Sequence, residues 1–214
     1  MNKTYSKEMN QNRPAGAAKG TGGGKRDWKR ELLDWIEIFV TAAAIALCVN
    51  SFLIANSRVP SASMENTIMT GDRVIGSRLS YRFHDPERGD IVIFRYPLDE
   101  KTYFVKRVIG LPGDTIDIVD GAVYLNGSAE PLEEPYLKEP MEPEPDMHFE
   151  VPEDSYFCMG DNRNNSLDAR YWQLLAEHDP SVNAEPGKVY TYVKRDKLIA
   201  KVLFRYWPGI KKIE

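Results

Sequence analysis

Between Val59 and Thr67 the chain reads Val-Pro-Ser-Ala-Ser-Met-Glu-Asn-Thr, which places two hydroxyls, Ser61 and Ser63, two residues apart. A serine hydroxyl becomes a nucleophile only where a base can take its proton. Without one, serines after a proline cap helices and turns, and the segment by itself reads as a turn. The run Tyr103-Phe-Val-Lys-Arg-Val-Ile-Gly110 supplies a candidate base. Strand alternation puts Lys106 on the face of Phe104 and Val108, opposite Val105 and Arg107. A lysine among apolar neighbours either snorkels to water or loses its charge, and full burial lowers its pKa by about 3–5 units. The neutral amine so formed is a usable base. Most strand lysines are merely solvated, so alternation alone leaves both readings open. A third segment, Met159-Gly-Asp-Asn-Arg-Asn-Asn-Ser-Leu-Asp-Ala-Arg-Tyr-Trp172, is dense in Asp, Asn and Arg directly after an apolar run. That composition predicts an ordered loop braced by side-chain and charge-assisted hydrogen bonds rather than a solvated turn.

The elements that must position these groups can be read from the rest of the chain. Residues 1–31 hold 8 Lys/Arg against 3 Asp/Glu, whereas the stretch from Val59 onward holds 19 against 27. An acidic body without a basic stripe argues against nucleic acid as a partner. Residues 1–27, rich in Asn, Gly, Lys and Ala, read as a disordered tail. Trp35–Ala55 is apolar apart from Glu37, Asn50 and Ser51, about the length a helix needs to cross hydrocarbon. Lys25, Arg26, Lys29 and Arg30 precede it and only Arg58 follows closely, so the positive-inside rule puts the N-terminus in the cytoplasm. A cleaved signal peptide and a buried core helix are the competing readings. We expect a basic tail over 1–31, a transmembrane helix over 32–57 and a β-rich extracytoplasmic domain over 58–214.

In that domain the runs at 90–96, 103–109 and 115–119 are short, β-branched and bounded by Gly, Pro or Asp, as strands are. Asp120-Gly121 and Asn126-Gly127 are tight-turn signals. Residues 130–146 contain five prolines and seven acids, and predict an extended, solvated acidic loop over about 130–150. The histidines at 84, 148 and 178 lack ligand spacing, so no metal is expected. Cys48 and Cys158 are too differently placed for a disulfide framework.

Taken together, the segments resemble those of bacterial type I signal peptidases, membrane-bound Ser/Lys proteases. Pro60-Ser-Ala-Ser-Met-Glu-Asn-Thr-Ile68 is similar to that family's nucleophile box, usually Pro-Ser-x-Ser-Met-x-Pro-Thr-Leu. Arg88–Phe94, Lys106–Asp114 and Gly160–Arg170 match three further boxes, in family order behind one apolar segment. The resemblance implies a mainly β, signal-peptidase-like fold behind one transmembrane helix. It makes Ser63 the nucleophile and Lys106 its base, with Ser61 and the backbone N–H of Ser63 in the oxyanion hole. Ser166 would hydrogen-bond and orient the Lys106 amine, while Arg107, Asp161, Asp168 and Arg170 brace the site. The implied substrates are preprotein signal peptides cut after Ala-x-Ala, and the implied location is the bacterial cell membrane, single-pass, with the lipid bilayer as partner. No cofactor, metal or nucleic acid is implied. Asn66 stands where the family usually has proline, Asn164 where aspartate is common, and extra residues fall at about 173–192. A repressor-type Ser/Lys autoprotease would carry a DNA-binding domain where this chain has an apolar span. An inert membrane-tethered β scaffold would have no reason to keep Ser63, Lys106 and Ser166 together.

Overall fold

The computed structural model describes residues 28–213, so the tail expected over 1–27 lies outside the described residues. The chain divides into two units, one ending at Ala43 and one running from Ala44. The described part of the first belongs to helix α1 (Trp28–Cys48), which buries none of its residues. With the π-helical turn Val49–Leu53 it makes a helical stretch of 26 residues, whose most apolar 18-residue window has a mean hydropathy of 2.1, long and apolar enough to cross a membrane. The helix expected over 32–57 therefore needs correction at both ends. It starts at Trp28, and residues 54–57 are extended, in strand β1 (Ile54–Arg58). Asn50 and Ser51, which compete for backbone hydrogen bonds, sit where the ladder loosens to the π form. From Ile54 the backbone finds strand partners instead, pairing in register with β2 (Arg73–Ser77) from Ile54↔Ser77 to Arg58↔Arg73.

The second unit is mainly β, as the sequence predicts. Its remaining strands are β3 (Ile91–Arg95), β4 (Tyr103–Gly110), β5 (Thr115–Val119), β6 (Ala122–Leu125), β7 (Met147–Glu150), β8 (Ser155–Met159), β9 (Val193–Lys194), β10 (Leu198–Trp207) and β11 (Lys211–Lys212), with the short helix α2 (Ser80–Phe83) and helix α3 (Ala169–His178) between them. The large sheet runs β1-β2-β10-β3-β4-β8-β9, with β11 on β10, and a small sheet runs β6-β5-β7. Asp120 and Gly121, both at positive φ (49° and 75°), close the two-residue hairpin from β5 to β6, the geometry that matches strand twist. Strand β3 explains how the large sheet buries both faces. Val92 and Phe94 join a core with Val108, Phe157 and Trp172, while Ile91 and Ile93 join another with Val74, Met64 and Ile68. A strand covered on both sides reads as a continuous apolar run, which is what Ile-Val-Ile-Phe is.

The acidic, proline-rich stretch corrects a second expectation. It ends at β7, and although most of it is exposed as expected, part of it packs down on the domain. Leu132 and Tyr136 pack on the larger core, Met141 is buried, and Glu134 is only 7% exposed in its ion pair with Arg163. Prolines keep this backbone extended, and two of its seven acids, Glu134 and Glu144, face the buried arginines Arg163 and Arg170, while the other five are exposed.

Candidate active site

Strands β1 and β2 are joined by the turn that holds the two serines. Its neck is closed by Val59 N–H to Asp72 O (2.9 Å) and Gly71 N–H to Val59 O (2.8 Å). Met64 and Ile68, both fully buried, pin it to the core. Next to this anchor Ser63 is 7% exposed, whereas Ser61 is exposed, and their Oγ atoms lie 3.4 Å apart. Lys106 stands on β4 opposite Val92 of β3 and is 3% exposed. As alternation predicts, it shares a face with Phe104 and Val108, and its Nζ lies 5.7 Å from the Phe104 ring centroid.

Burial pushes the Lys106 amine down from 10.5 to about 8; the Asp168 charge works against this and Arg170 reinforces it. Two carboxylates act on Lys106, and each is already paired. Arg107 forks onto Asp161, Nε to Oδ1 at 2.9 Å and Nη2 to Oδ2 at 2.7 Å. Arg170 does the same to Asp168, at 2.9 and 3.0 Å. Asp168 also caps α3 through Arg170 N–H and accepts from Gly160 N–H at 3.0 Å. Its carboxyl is held below the usual range, with desolvation opposed by Arg170. A carboxylate neutralised by a bidentate arginine does little to keep a neighbouring ammonium charged.

Ser166 reaches the same corner but not the expected bond. Its Oγ is buried and has no hydrogen-bond partner, so the predicted Ser166–Lys106 hydrogen bond is not formed. Such bonds are often long without substrate and tighten when it binds. What holds Ser166 in place is Gly160. A Cβ at that position would overlap both Ser166 Oγ and the Ser63 carbonyl oxygen, so only glycine lets the two segments meet. Asn162 completes the joint, donating its N–H to Ser63 O and its Nδ2 to Ala62 O, both at 3.0 Å.

A cleft of about 330 Å³ opens beside these groups, lined by Ser57–Met64, Thr102–Lys106, Asn165 and Leu167. Two strand edges border it. Strand β1 ends the sheet and pairs with β2 alone, and β4 pairs with β8 only from Arg107 onward, leaving Tyr103–Lys106 open on that side. A larger cavity of about 610 Å³ across β3 and β10 contains none of the expected site residues. Size does not locate the chemistry here.

The family profile described as "Signal peptidase, peptidase S26" matches residues 32–207 of this chain. The chain belongs to the signal peptidase family. It is accordingly a serine endopeptidase. Among curated relatives, the Synechocystis protein named "Probable signal peptidase I-2" is 38% identical over 186 residues, covering 81% of this chain and 74% of that one. "Signal peptidase I" of Leptolyngbya laminosa is 35% identical, covering 83% and 80%. A crystal structure of a signal peptidase I from Enterococcus faecalis V583 is 29% identical and covers 55% of this chain and 97% of that one, with a TM-score of 0.41.

Within this signal peptidase fold the segments singled out in the sequence lie together, but several of their joints were missed by sequence reasoning. Gly160 and Asn162 lie inside the polar run and were detectable there, because a glycine next to buried charges signals close backbone approach. Thr67 was also overlooked, yet its Oγ1 donates to Asp161 at 2.5 Å. Nothing local marked Glu134 and Tyr136, whose partners are far away in sequence.

Proposed function

We propose that this protein is a membrane-anchored signal peptidase that cuts exported preproteins after Ala-x-Ala, using Ser63 as nucleophile and Lys106 as base. The observation that carries the reading is a buried lysine of lowered proton affinity, flanked by carboxylates already neutralised, lining the same cleft as Ser63.

The preprotein enters the cleft as an added strand against the open edge of Tyr103–Lys106, with main-chain hydrogen bonds giving affinity and shallow pockets selecting small side chains. Neutral Lys106 takes the Ser63 Oγ proton while the oxygen adds to the scissile carbonyl. The Ser61 hydroxyl and a backbone N–H stabilise the oxyanion; losing one such donor costs about 3–4 kcal/mol of barrier. As the tetrahedral intermediate collapses, Lys106 gives its proton to the departing amine. It then takes a proton from water, whose oxygen attacks the ester, and Ser63 recovers its proton from Lys106. Ser166, with its unpartnered hydroxyl, orients the amine once the cleft is filled. Arg107, Asp161, Asp168 and Arg170 keep the walls in place. The apolar helix crosses the bacterial membrane once, N-terminus inside, and holds the domain outside, where signal peptides emerge from the same bilayer.

The test is cleavage of an Ala-x-Ala preprotein in detergent by wild type, Ser63→Ala and Lys106→Ala. The reading requires a cut after the last alanine by wild type, and none by either folded variant. Normal cutting by Lys106→Ala removes the base assignment, and an inert wild type removes the substrate class.

A further inference from the structure

The stretch between β6 and β7 lies against the outer side of the two arginines that frame the site. Glu134 accepts both terminal nitrogens of Arg163, at 2.8 and 2.5 Å. Tyr136 stacks its ring 3.8 Å from the Arg107 guanidinium carbon, and its hydroxyl donates to Glu134 at 2.7 Å. Each arginine turns another of its nitrogens inward. Arg163 Nε donates to Gly160 O at 3.0 Å, and Arg107 holds Asp161. Gly160 and Asp161 begin the segment that carries Ser166, and Gly160 is also where that segment meets the Ser63 carbonyl.

Two positions that depart from the family pattern latch the same stretch. Asn66 Nδ2 donates to the carbonyls of Tyr136 and Leu137, at 3.0 and 3.2 Å. Its φ of 87° is closed to proline, whose ring fixes φ near about −65°. Asn164 accepts from Glu142 N–H at 2.9 Å and donates to Pro140 O at 3.1 Å. The departures therefore have a local reason: at both, an amide side chain holds this stretch of backbone over the arginines.

We propose that Glu134 and Tyr136 are positioning residues for the cleavage reaction, a brace that acts through Arg163 and Arg107 to hold Gly160–Ser166 against Ser63 and Lys106. The inference rests on the reading of Ser63 and Lys106 given above. Without the Tyr136 ring, Arg107 is drawn toward water and its fork on Asp161 loosens. Asp161, less neutralised, then favours the charged form of Lys106. Without the Glu134 carboxylate, Arg163 is a buried cation lacking its partner, and its grip on Gly160 O weakens.

The experiment uses the full chain in detergent, with kcat and KM on an Ala-x-Ala preprotein followed across pH for wild type, Tyr136→Leu, Tyr136→Phe and Glu134→Gln. Tyr136→Leu and Glu134→Gln should lower kcat by about tenfold to a hundredfold with KM nearly unchanged. In Tyr136→Leu the midpoint of the acid limb should also move to higher pH. Tyr136→Phe keeps the ring over Arg107 and should restore both kcat and the midpoint. A folded Tyr136→Leu with wild-type kcat and midpoint overturns the brace, as does a Phe variant no better than Leu. If Tyr136→Leu does not fold, the near-isosteric Glu134→Gln decides by the same kcat criterion. An inert wild type overturns the underlying site reading instead, so the two failures are distinguishable.

Discussion

Two neighbouring parts of this signal peptidase bury polar groups and treat them in opposite ways. Around Asp161 and Asp168, carboxylates and guanidinium groups meet in bidentate pairs, with spare nitrogens committed to backbone carbonyls such as Arg163 O and Gly89 O. Around Lys106, Ser166 Oγ has no partner and the amine lies over an aromatic ring. Satisfied buried charges give rigidity at little net gain in stability, whereas a desolvated amine and an unpartnered hydroxyl are a standing cost. On the proposed reading the first region is scaffold and the second is site.

The largest effects should come from the unsatisfied side. Ser63→Ala should lower kcat about 10⁴-fold or more with little change in Tm. Lys106→Met should be as inactive yet more stable at neutral pH. The unfolded chain holds the lysine proton up to 10.5 and the folded one only to about 8. Below pH 8 the folded state therefore carries a penalty on the order of 3 kcal/mol, which fades as pH rises from 8 to 10.5. Melting curves of Lys106→Met against wild type should show a gain at pH 7 that shrinks above pH 8. A loss of Tm at pH 7 would mean that the lysine is a structural partner.

On the satisfied side the sign reverses. Asp168→Ala leaves Arg170 buried without its partner and should cost about 3–5 kcal/mol in denaturant unfolding, with activity falling in step. An unchanged midpoint would erase the distinction between the two regions. Where the regions meet, Gly160→Ala drives a methyl group into Ser166 and the Ser63 backbone. Overpacking of that kind costs about 1–3 kcal/mol, and activity should fall further than stability does, because the shift lands on the proposed nucleophile. Lys188→Ala removes an exposed pair with Glu185 outside both regions and should leave Tm and kcat as they are.

Much of this arrangement was legible in the sequence, for physical reasons that differ by segment. Strand periodicity put Lys106 on an apolar face because a period of two survives in eight consecutive residues. The density of Asp, Asn and Arg after Cys158 announced a braced loop, since so many polar groups cannot be left unpaired beside a core. The end of α1 was less legible. Apolar content carries on to Ala55, but the α-helix gives way to a π turn at Val49 and to strand at Ile54, because partner strand β2 decides where extended structure begins. Least visible was the proline-rich stretch, where acids on an extended segment look the same whether they face water or a buried arginine. Only three-dimensional proximity of Glu134 to Arg163 tells the two apart.

The central claim is that Lys106 works as a neutral base because it is buried beside carboxylates already paired. Its most direct test is the pH dependence of kcat/KM for wild type on an Ala-x-Ala preprotein. The account predicts activity that rises through a single acid limb with its midpoint near the lowered lysine value of about 8. A midpoint in the ordinary histidine or carboxylate range would contradict it, as would a limb that persists unchanged in residual activity of Lys106→Ala.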